Sequence, residues 1–259
     1  MTDNLQNLTY AEFLALYAPL AAGLTDPVFQ EDAVTDRLWQ IAVRLGENAK
    51  KFNLTAITEP CAVVEKHIVD SLLPLSILQN RGILDERMHY AGKSVTVCDI
   101  GAGAGFPSLP MAAVLAQSDG RVLAVDATAK KVRYITETAA ALGLSGMTAQ
   151  SGRAEELAAA RRERYDAAVS RAVARLNILS ELCLPYVRVG GVFLALKGAM
   201  AAEEAREAEA GVARLGGEIA RIFEYPVADT VHRVVLIRKL HATPPQYPRP
   251  YAKIKKNPL

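Results

Sequence analysis

Two hydrophobic periodicities divide the chain. Up to about residue 80, apolar positions recur at the three-to-four-residue spacing that places them on one helical face. Thr9-Tyr-Ala-Glu12 has the form of a capping box, in which hydroxyl and carboxylate satisfy two orphan amides at a helix start. Asp26-Pro27 offers a cap followed by proline at the first helical position, where its missing N–H costs nothing. From there Val28, Val34, Leu38, Ile41 and Leu45 predict a second helix, and a third is expected from about Val63 to Leu78. Phe52-Asn-Leu-Thr-Ala-Ile57 between them reads as a short loop or extended stretch. Residues 79–93 are polar, contain Gly82 and Gly92, and read as a linker.

Beyond the linker the pattern changes to short apolar runs separated by helical ones. Val95-Thr-Val-Cys-Asp-Ile100 and Arg121-Val-Leu-Ala-Val-Asp126 are predicted strands. A helix from about Pro107 to Ala116 separates them, and Thr128 is the expected cap of the next, which runs through Leu142. Short strands are expected at Met147 to Gln150 and Ala167 to Ser170, with a charged helix between. A helix from about Leu176 to Val187 then leads to a strand from Val192 to Lys197 and a long Ala/Glu-rich helix. Glu218 to Tyr225 and Val231 to Lys239 are too closely connected for a crossover and form an antiparallel hairpin. Five alternations of strand and helix require a doubly wound, mainly parallel sheet with an antiparallel edge strand. The end from His241 holds five prolines and is not expected to be regular throughout.

Composition narrows the class. The 259 residues are 51% hydrophobic and 22% charged, ordinary globular values. Cys61, Cys98 and Cys183 are odd in number and widely spaced, and the four histidines form no ligand pattern, so no structural metal is expected. The N-terminus lacks the features of a signal peptide, and no apolar run approaches a membrane span. The expectation is a soluble, reduced, cytoplasmic protein, monomeric by default. Net charge is only +2, but it is unevenly distributed. Seven basic and no acidic residues follow Asp229, whereas the first 229 residues carry 23 basic against 28 acidic. That asymmetry points to an anionic partner.

The chemistry centres on Asp99-Ile-Gly101-Ala-Gly103-Ala-Gly105-Phe106, between the first predicted strand and its helix. Ligands of open α/β sheets bind beyond the carboxyl ends of the strands, and glycines there let backbone approach them. Asp126 closes the second strand, where a carboxylate can accept both hydroxyls of a ribose. The alternative is a glycine turn with a helix-capping acid. The spacing is GxGxG rather than the dinucleotide GxGxxG, and Pro107 removes an amide from any pyrophosphate site. S-adenosylmethionine, which has no phosphate, is therefore favoured over NAD. Asp99 would help hold its amino or sulfonium end through solvent.

At this point the residues resemble a family. Val-Cys-Asp-Ile-Gly-Ala-Gly-Ala-Gly-Phe-Pro and Lys130-Lys-Val-Arg133 are similar to the RsmG (GidB) methyltransferases. So, in order, are Asn53-Leu-Thr, His67-Ile-Val-Asp70-Ser71-Leu72, Gly152-Arg-Ala-Glu-Glu156, Val169-Ser-Arg171-Ala172 and Ala195-Leu-Lys197-Gly198. The resemblance implies a class I S-adenosylmethionine-dependent methyltransferase fold. It also implies transfer of a methyl to N7 of a guanine in the 530 loop of 16S ribosomal RNA. It places Gly101, Phe106, Ala154, Glu155 and Arg171 around the donor; Gly103 and Asp126 join them from the sheet geometry alone. Ser108 stands where the family usually has glycine.

Methylation of N7 uses a lone pair and removes no proton, so alignment and exclusion of water are needed rather than a general base. Arg171 and Lys197 are the candidate catalytic side chains. Arg171 also reads as a structural cap or ion-pair partner, and Lys197 either meets RNA or is simply solvated. His67 and Asp70 share a helical face and read as a local hydrogen bond, or place His67 near RNA. Lys130, Lys131 and Arg133 read as phosphate contacts or as a solvated face. Arg249, Lys253, Lys255 and Lys256, interleaved with Tyr247 and Tyr251, suit RNA, or else a disordered solubilising end. The expected organisation is a helical extension (1–85), a methyltransferase domain (86–240) and a basic tail (241–259). The alternatives are a methyltransferase for another RNA position or a small molecule, and a non-catalytic ribosome assembly factor.

Overall fold

Seven strands form one sheet in a computed structural model that describes residues 4–24, 26–79, 95–171, 173–227 and 230–259. They are β1 (Thr96–Ile100), β2 (Arg121–Asp126), β3 (Met147–Ser151), β4 (Tyr165–Arg171), β5 (Val187–Lys197), β6 (Gly217–Val227) and β7 (Thr230–Lys239). Their order is β3-β2-β1-β4-β5-β7-β6, with β1 to β5 parallel. The chain winds outward from β1 through β2 to β3, then returns to β4 on the other side. The switch point therefore lies between β1 and β4, and the loops that leave them open a crevice there. The doubly wound sheet is as expected. Its single antiparallel strand is β7, which lies between β5 and the outermost β6. A hairpin sequence makes two strands antiparallel to each other but does not say which joins the parent sheet.

Neighbouring strand residues bury opposite faces. Val97, Val122 and Ala124 join a core with the N-terminal helices, whereas Cys98, Ile100, Leu123 and Val125 join a second core. The first face carries α1 (Tyr10–Ala21), α2 (Asp32–Phe52), α3 (Pro60–Val63), α4 (Asp70–Leu78), α5 (Ser108–Leu115) and α6 (Ala129–Ala141). Every residue of α5, SLPMAAVL, is buried, because the helical extension covers the side that the sheet leaves open. The second face carries α7 (Ala154–Arg161), α8 (Leu176–Cys183), α9 (Ala201–Arg214) and α10 (Tyr251–Lys256).

Local signals in the extension are mostly realised. The Thr9 and Glu12 side chains reciprocally cap α1. Asp26 caps a 3₁₀ turn, Pro27–Gln30, rather than the second helix itself; Glu31 is extended and α2 starts at Asp32. The third helix begins three residues earlier than expected. Glu59 accepts hydrogen bonds from the Cys61 and Ala62 amides, and Pro60 occupies the first helical position. Val64–Val69 then forms a π-helical turn between α3 and α4. Such insertions shift the facing of everything downstream. The proposed linker and domain boundary near residue 85 fall almost wholly outside the described residues.

The tail is not a disordered end. Ile254 and Tyr247 are buried, and Arg249 pairs with the fully buried Glu181 at 2.6 Å. Arg162 donates to the carbonyls of Thr243, Pro244 and Tyr247. Gly211 of α9 leaves room for Leu259, whose Cβ and backbone would stand 2.8 Å from an added methyl. Prolines thus coexist with fixed structure because side chains of the domain, rather than a backbone ladder, satisfy the tail's carbonyls.

Candidate functional site

The glycine loop leaves β1 at the switch point and is bound back onto β2. Gly101 and Ala102 donate to the Val125 carbonyl at 2.8 and 3.0 Å. Asp126, at the end of β2, accepts from Gly103 N at 2.9 Å and from Thr128 N at 2.8 Å. The cap expected from Thr128 is therefore supplied by Asp126, and Thr128 makes no side-chain cap bond. One oxygen of Asp126 holds the loop and the other holds the start of α6. Two of about four acceptor positions on the carboxylate are used, which leaves capacity for hydroxyl donors.

Gly101 has φ +78°, and an added Cβ would stand 2.4 Å from Val173, so the loops after β1 and β4 meet there. Gly103, φ +58°, faces open space; the nearest atom to an added Cβ is 3.9 Å away. Backbone in this conformation can lie against a ligand without a side chain intervening.

Asp99 lies beneath the loop and is fully buried. Its Oδ2 accepts from the Ser108 amide at 3.1 Å, anchoring the start of α5. Among the described residues Oδ1 has no hydrogen-bond partner. Burial pushes this carboxyl up to about 7, with Asp126 adding to the rise; the Ser108 contacts and Arg171 oppose it. This corrects the expectation of a solvent-mediated contact: Asp99 supports the loop from below. The Ser108 substitution leaves the helix start intact.

Arg171, at the end of β4, joins the loop to the helical extension. Its guanidinium lies 5.9 Å from the Phe106 ring centre, and the His67 ring stacks on Phe106 at 4.9 Å. Arg171 Nη1 donates to the Lys66 carbonyl at 2.6 Å and to Asp70 Oδ2 at 2.9 Å. Nη2 lies 3.3 Å from His67 Nδ1. A guanidinium has no acceptor, so Nδ1 accepts and Nε2 carries the proton toward Thr55 Oγ1, 3.0 Å away. Burial, then the Arg171 charge, lowers the His67 pKa to about 4, which keeps the ring neutral near pH 7. For Asp70, burial raises the pKa but is outweighed by His232 and Arg171, so the carboxyl stays below its ordinary value. His67 and Asp70 thus meet through Arg171 rather than through the local bond expected from their spacing.

The expected residues divide into groups. Gly101, Gly103, Phe106, Asp126 and Arg171 gather at the ends of β1, β2 and β4. Ala154 and Glu155 start α7 beyond β3, and Gly152 N bonds the Asp126 carbonyl at 3.1 Å, tying that loop to β2. Lys197 is buried and paired within the domain rather than solvated. Its side chain is 6% exposed, paired with Glu204 at 2.7 Å and bonded to the Ala174 carbonyl. Arg249 is similarly committed, to Glu181. Lys253, Lys255 and Lys256 are exposed, and Lys255, Tyr251, Arg153 and Glu155 line a cleft of about 720 Å³ between tail and α7. Lys130, Lys131 and Arg133 are partly or fully exposed; Arg133 pairs with Glu137 at 2.7 Å.

Sequence reasoning missed Thr55 as a partner of His67, although it lay in a quoted motif, and missed His232 altogether. His232 reaches Asp70 from 162 positions away, and no spacing pattern marks it.

Residues 36–225 match the family model GidB, rRNA small subunit methyltransferase G. This span holds the glycine loop, Asp126 and Arg171. The chain belongs to the GidB family. A Levilactobacillus brevis protein named Ribosomal RNA small subunit methyltransferase G is 39% identical over 256 residues, covering 96% of this chain and 98% of that one. A Deinococcus deserti protein of the same name is 39% identical over 234 residues, covering 89% and 91%. Among solved structures, a putative sarcosine dimethylglycine methyltransferase from Galdieria sulphuraria matches with a TM-score of 0.51 at 11% identity. It covers 71% of this chain and 89% of that one, a likeness of fold alone. Among the described residues no helix is long and apolar enough to cross a membrane.

Proposed function

We propose that this GidB-family chain transfers the methyl of S-adenosylmethionine to N7 of a guanine in the 530 loop of 16S ribosomal RNA. It acts in the cytoplasm as a monomer. The donor supplies an electrophilic methyl on a sulfonium. The protein's part is to hold the donor, align the base and exclude water. The glycine loop and Asp126 fit a donor without phosphate: open backbone at Gly103, a carboxylate with acceptor capacity for ribose hydroxyls, and proline where a pyrophosphate would need an amide. Ala154 and Glu155 would border its adenine.

The observation that carries the N7 reading is the commitment of the bases around Phe106. His67 is neutral with its lone pair turned to Arg171, and both Asp70 oxygens are engaged. Such a site suits a nucleophile that brings its own lone pair and loses no proton. Arg171, held by Asp70, fixes Phe106 and His67 as one wall of the site. The exposed tail lysines supply a backbone contact beside α7, next to Tyr251, whose ring carries the Arg153 guanidinium 5.6 Å from its centre.

The test is methyl transfer from labelled S-adenosylmethionine to unmodified small subunits and to their stripped 16S RNA. Digestion then identifies the labelled nucleoside and cleavage maps it. Label as N7-methylguanine at one 530-loop position is expected. Another methylated nucleoside would discard the position, and absence of label with donor binding intact would favour an assembly factor.

A further inference from the structure

Three separated stretches of chain converge on one carboxylate. Asp70 begins α4, directly after the π-helical turn, and its side chain is 10% exposed. Oδ2 accepts from Arg171 Nη1 at 2.9 Å, and Oδ1 lies 2.6 Å from His232 Nδ1. His232 is 16% exposed and stands on β7 opposite Tyr225 of β6. Its Nε2 lies 2.9 Å from Thr230 Oγ1, which in turn is 2.9 Å from Glu65 Oε1 in the π-helical turn. Arg233 beside it is occupied by Glu224 at 2.7 Å.

We propose that His232 is a positioning residue for methyl transfer, acting through Asp70 on Arg171. The inference rests on the reading that Arg171 lines the reaction site. Asp70 is held ionised, so it brings no proton to its contact with His232, and Nδ1–H is the donor. A carboxylate bonded on one oxygen can rotate about its last torsion; bonded on both, its plane is set. Fixing that plane fixes the direction in which Oδ2 receives the Arg171 guanidinium, and hence how the guanidinium lies against Phe106 and His67. His232 is suited to this because the β6–β7 ladder holds its backbone. The Thr230 hydroxyl stands 2.9 Å from Nε2 and packs the second ring nitrogen against the Val227 carbonyl and the turn that carries Glu65. The hairpin and the helical extension thereby impose one geometry on a residue that belongs to neither.

The side chain of Asn places an amide N–H where Nδ1 stands, whereas Gln places it near the Nε2 position. The test compares His232→Asn, His232→Gln and His232→Ala, each alone and with Arg171→Ala. It reads thermal unfolding, kcat and KM for methyl transfer to stripped 16S RNA, and the ¹⁵N–H signals of the Arg171 guanidinium. His232→Ala and His232→Gln should each lower kcat/KM about tenfold or more, the weight of one hydrogen bond to a charged group. His232→Asn should recover it to within about threefold. In the Arg171→Ala background the three should be nearly equal, because the path to the site is already cut. The guanidinium signals should be distinct in the parent and in His232→Asn, and averaged in His232→Gln. Equal losses for Asn and Gln, or losses that add fully to that of Arg171→Ala, would overturn the proposal. Full activity in Arg171→Ala would instead remove Arg171 from the reaction site. The guanidinium signals report on orientation in either case: unchanged signals in His232→Gln overturn the positioning role.

Discussion

Replacing Asp99 with asparagine should stabilise the protein, and increasingly so as pH rises. Asp99 is fully buried, and its carboxyl is pushed up to about 7 from an ordinary 3.8. A carboxyl raised in the folded state keeps its proton while the unfolded chain gives its own up. Folding is therefore favoured least above both values: stability declines from about pH 4, flattens above about pH 7, and is fully regained only below pH 4. A shift of about three units corresponds to about 4 kcal/mol at the alkaline plateau, of which roughly 2.5 kcal/mol develops between pH 5 and pH 8. Asparagine retains an oxygen for the Ser108 amide and removes the ionisation. Urea unfolding of parent and Asp99→Asn at half-unit intervals from pH 4.5 to 8.5 gives the difference directly. The variant should gain about 3.3 kcal/mol on the parent between pH 4.5 and pH 8.5. Either of two results would refute the argument: a difference independent of pH would mean that the carboxyl is unshifted in the fold, and one growing toward acid would mean that it is ionised and stabilised there.

Asp126→Ala should weaken S-adenosylmethionine binding about tenfold or more in calorimetry, since it removes the proposed ribose acceptor together with one hydrogen bond to the glycine loop and one to the start of α6; unchanged affinity would place the ribose elsewhere. Lys197→Met should cost about 1–3 kcal/mol in urea unfolding, because Glu204 keeps the Leu176 amide but loses its cationic partner in a largely buried setting, while the salt dependence of RNA binding stays as in the parent. Replacing Lys253, Lys255 and Lys256 with alanine should reduce the slope of log affinity against log salt by about two to three and leave donor binding unchanged. An unaltered slope would remove the tail from the RNA contact.

Much of this protein is legible from local chemistry. The capping box marked α1 and the apolar period marked α2, and the alternation of short apolar runs with helices marked the doubly wound sheet. Glycine spacing with a strand-terminal acid marked the loop and Asp126. These features depend on neighbours within a few residues, so the chain itself displays them. The π-helical turn before Asp70 was not visible, because its one-residue offset carries no distinctive composition and is maintained by packing.

The partners of charged groups belong to tertiary structure. Lys197, Arg249 and Arg171 are the same kind of signal in the sequence: a basic residue near a site. Glu204 pairs with the first, buried Glu181 with the second and Asp70 with the third, and only the third stands at the switch point, against Phe106 and His67. The ordering of a proline-rich tail was decided in the same way, by Arg162 and Glu181 reaching it from the domain. Which strand of the hairpin joins β5, and that His232 thereby reaches Asp70, likewise required the assembled sheet. Charge and hydrogen bonding act through space over a few ångströms. Sequence sets which groups exist and which local elements carry them, and only the packed chain determines which of them meet.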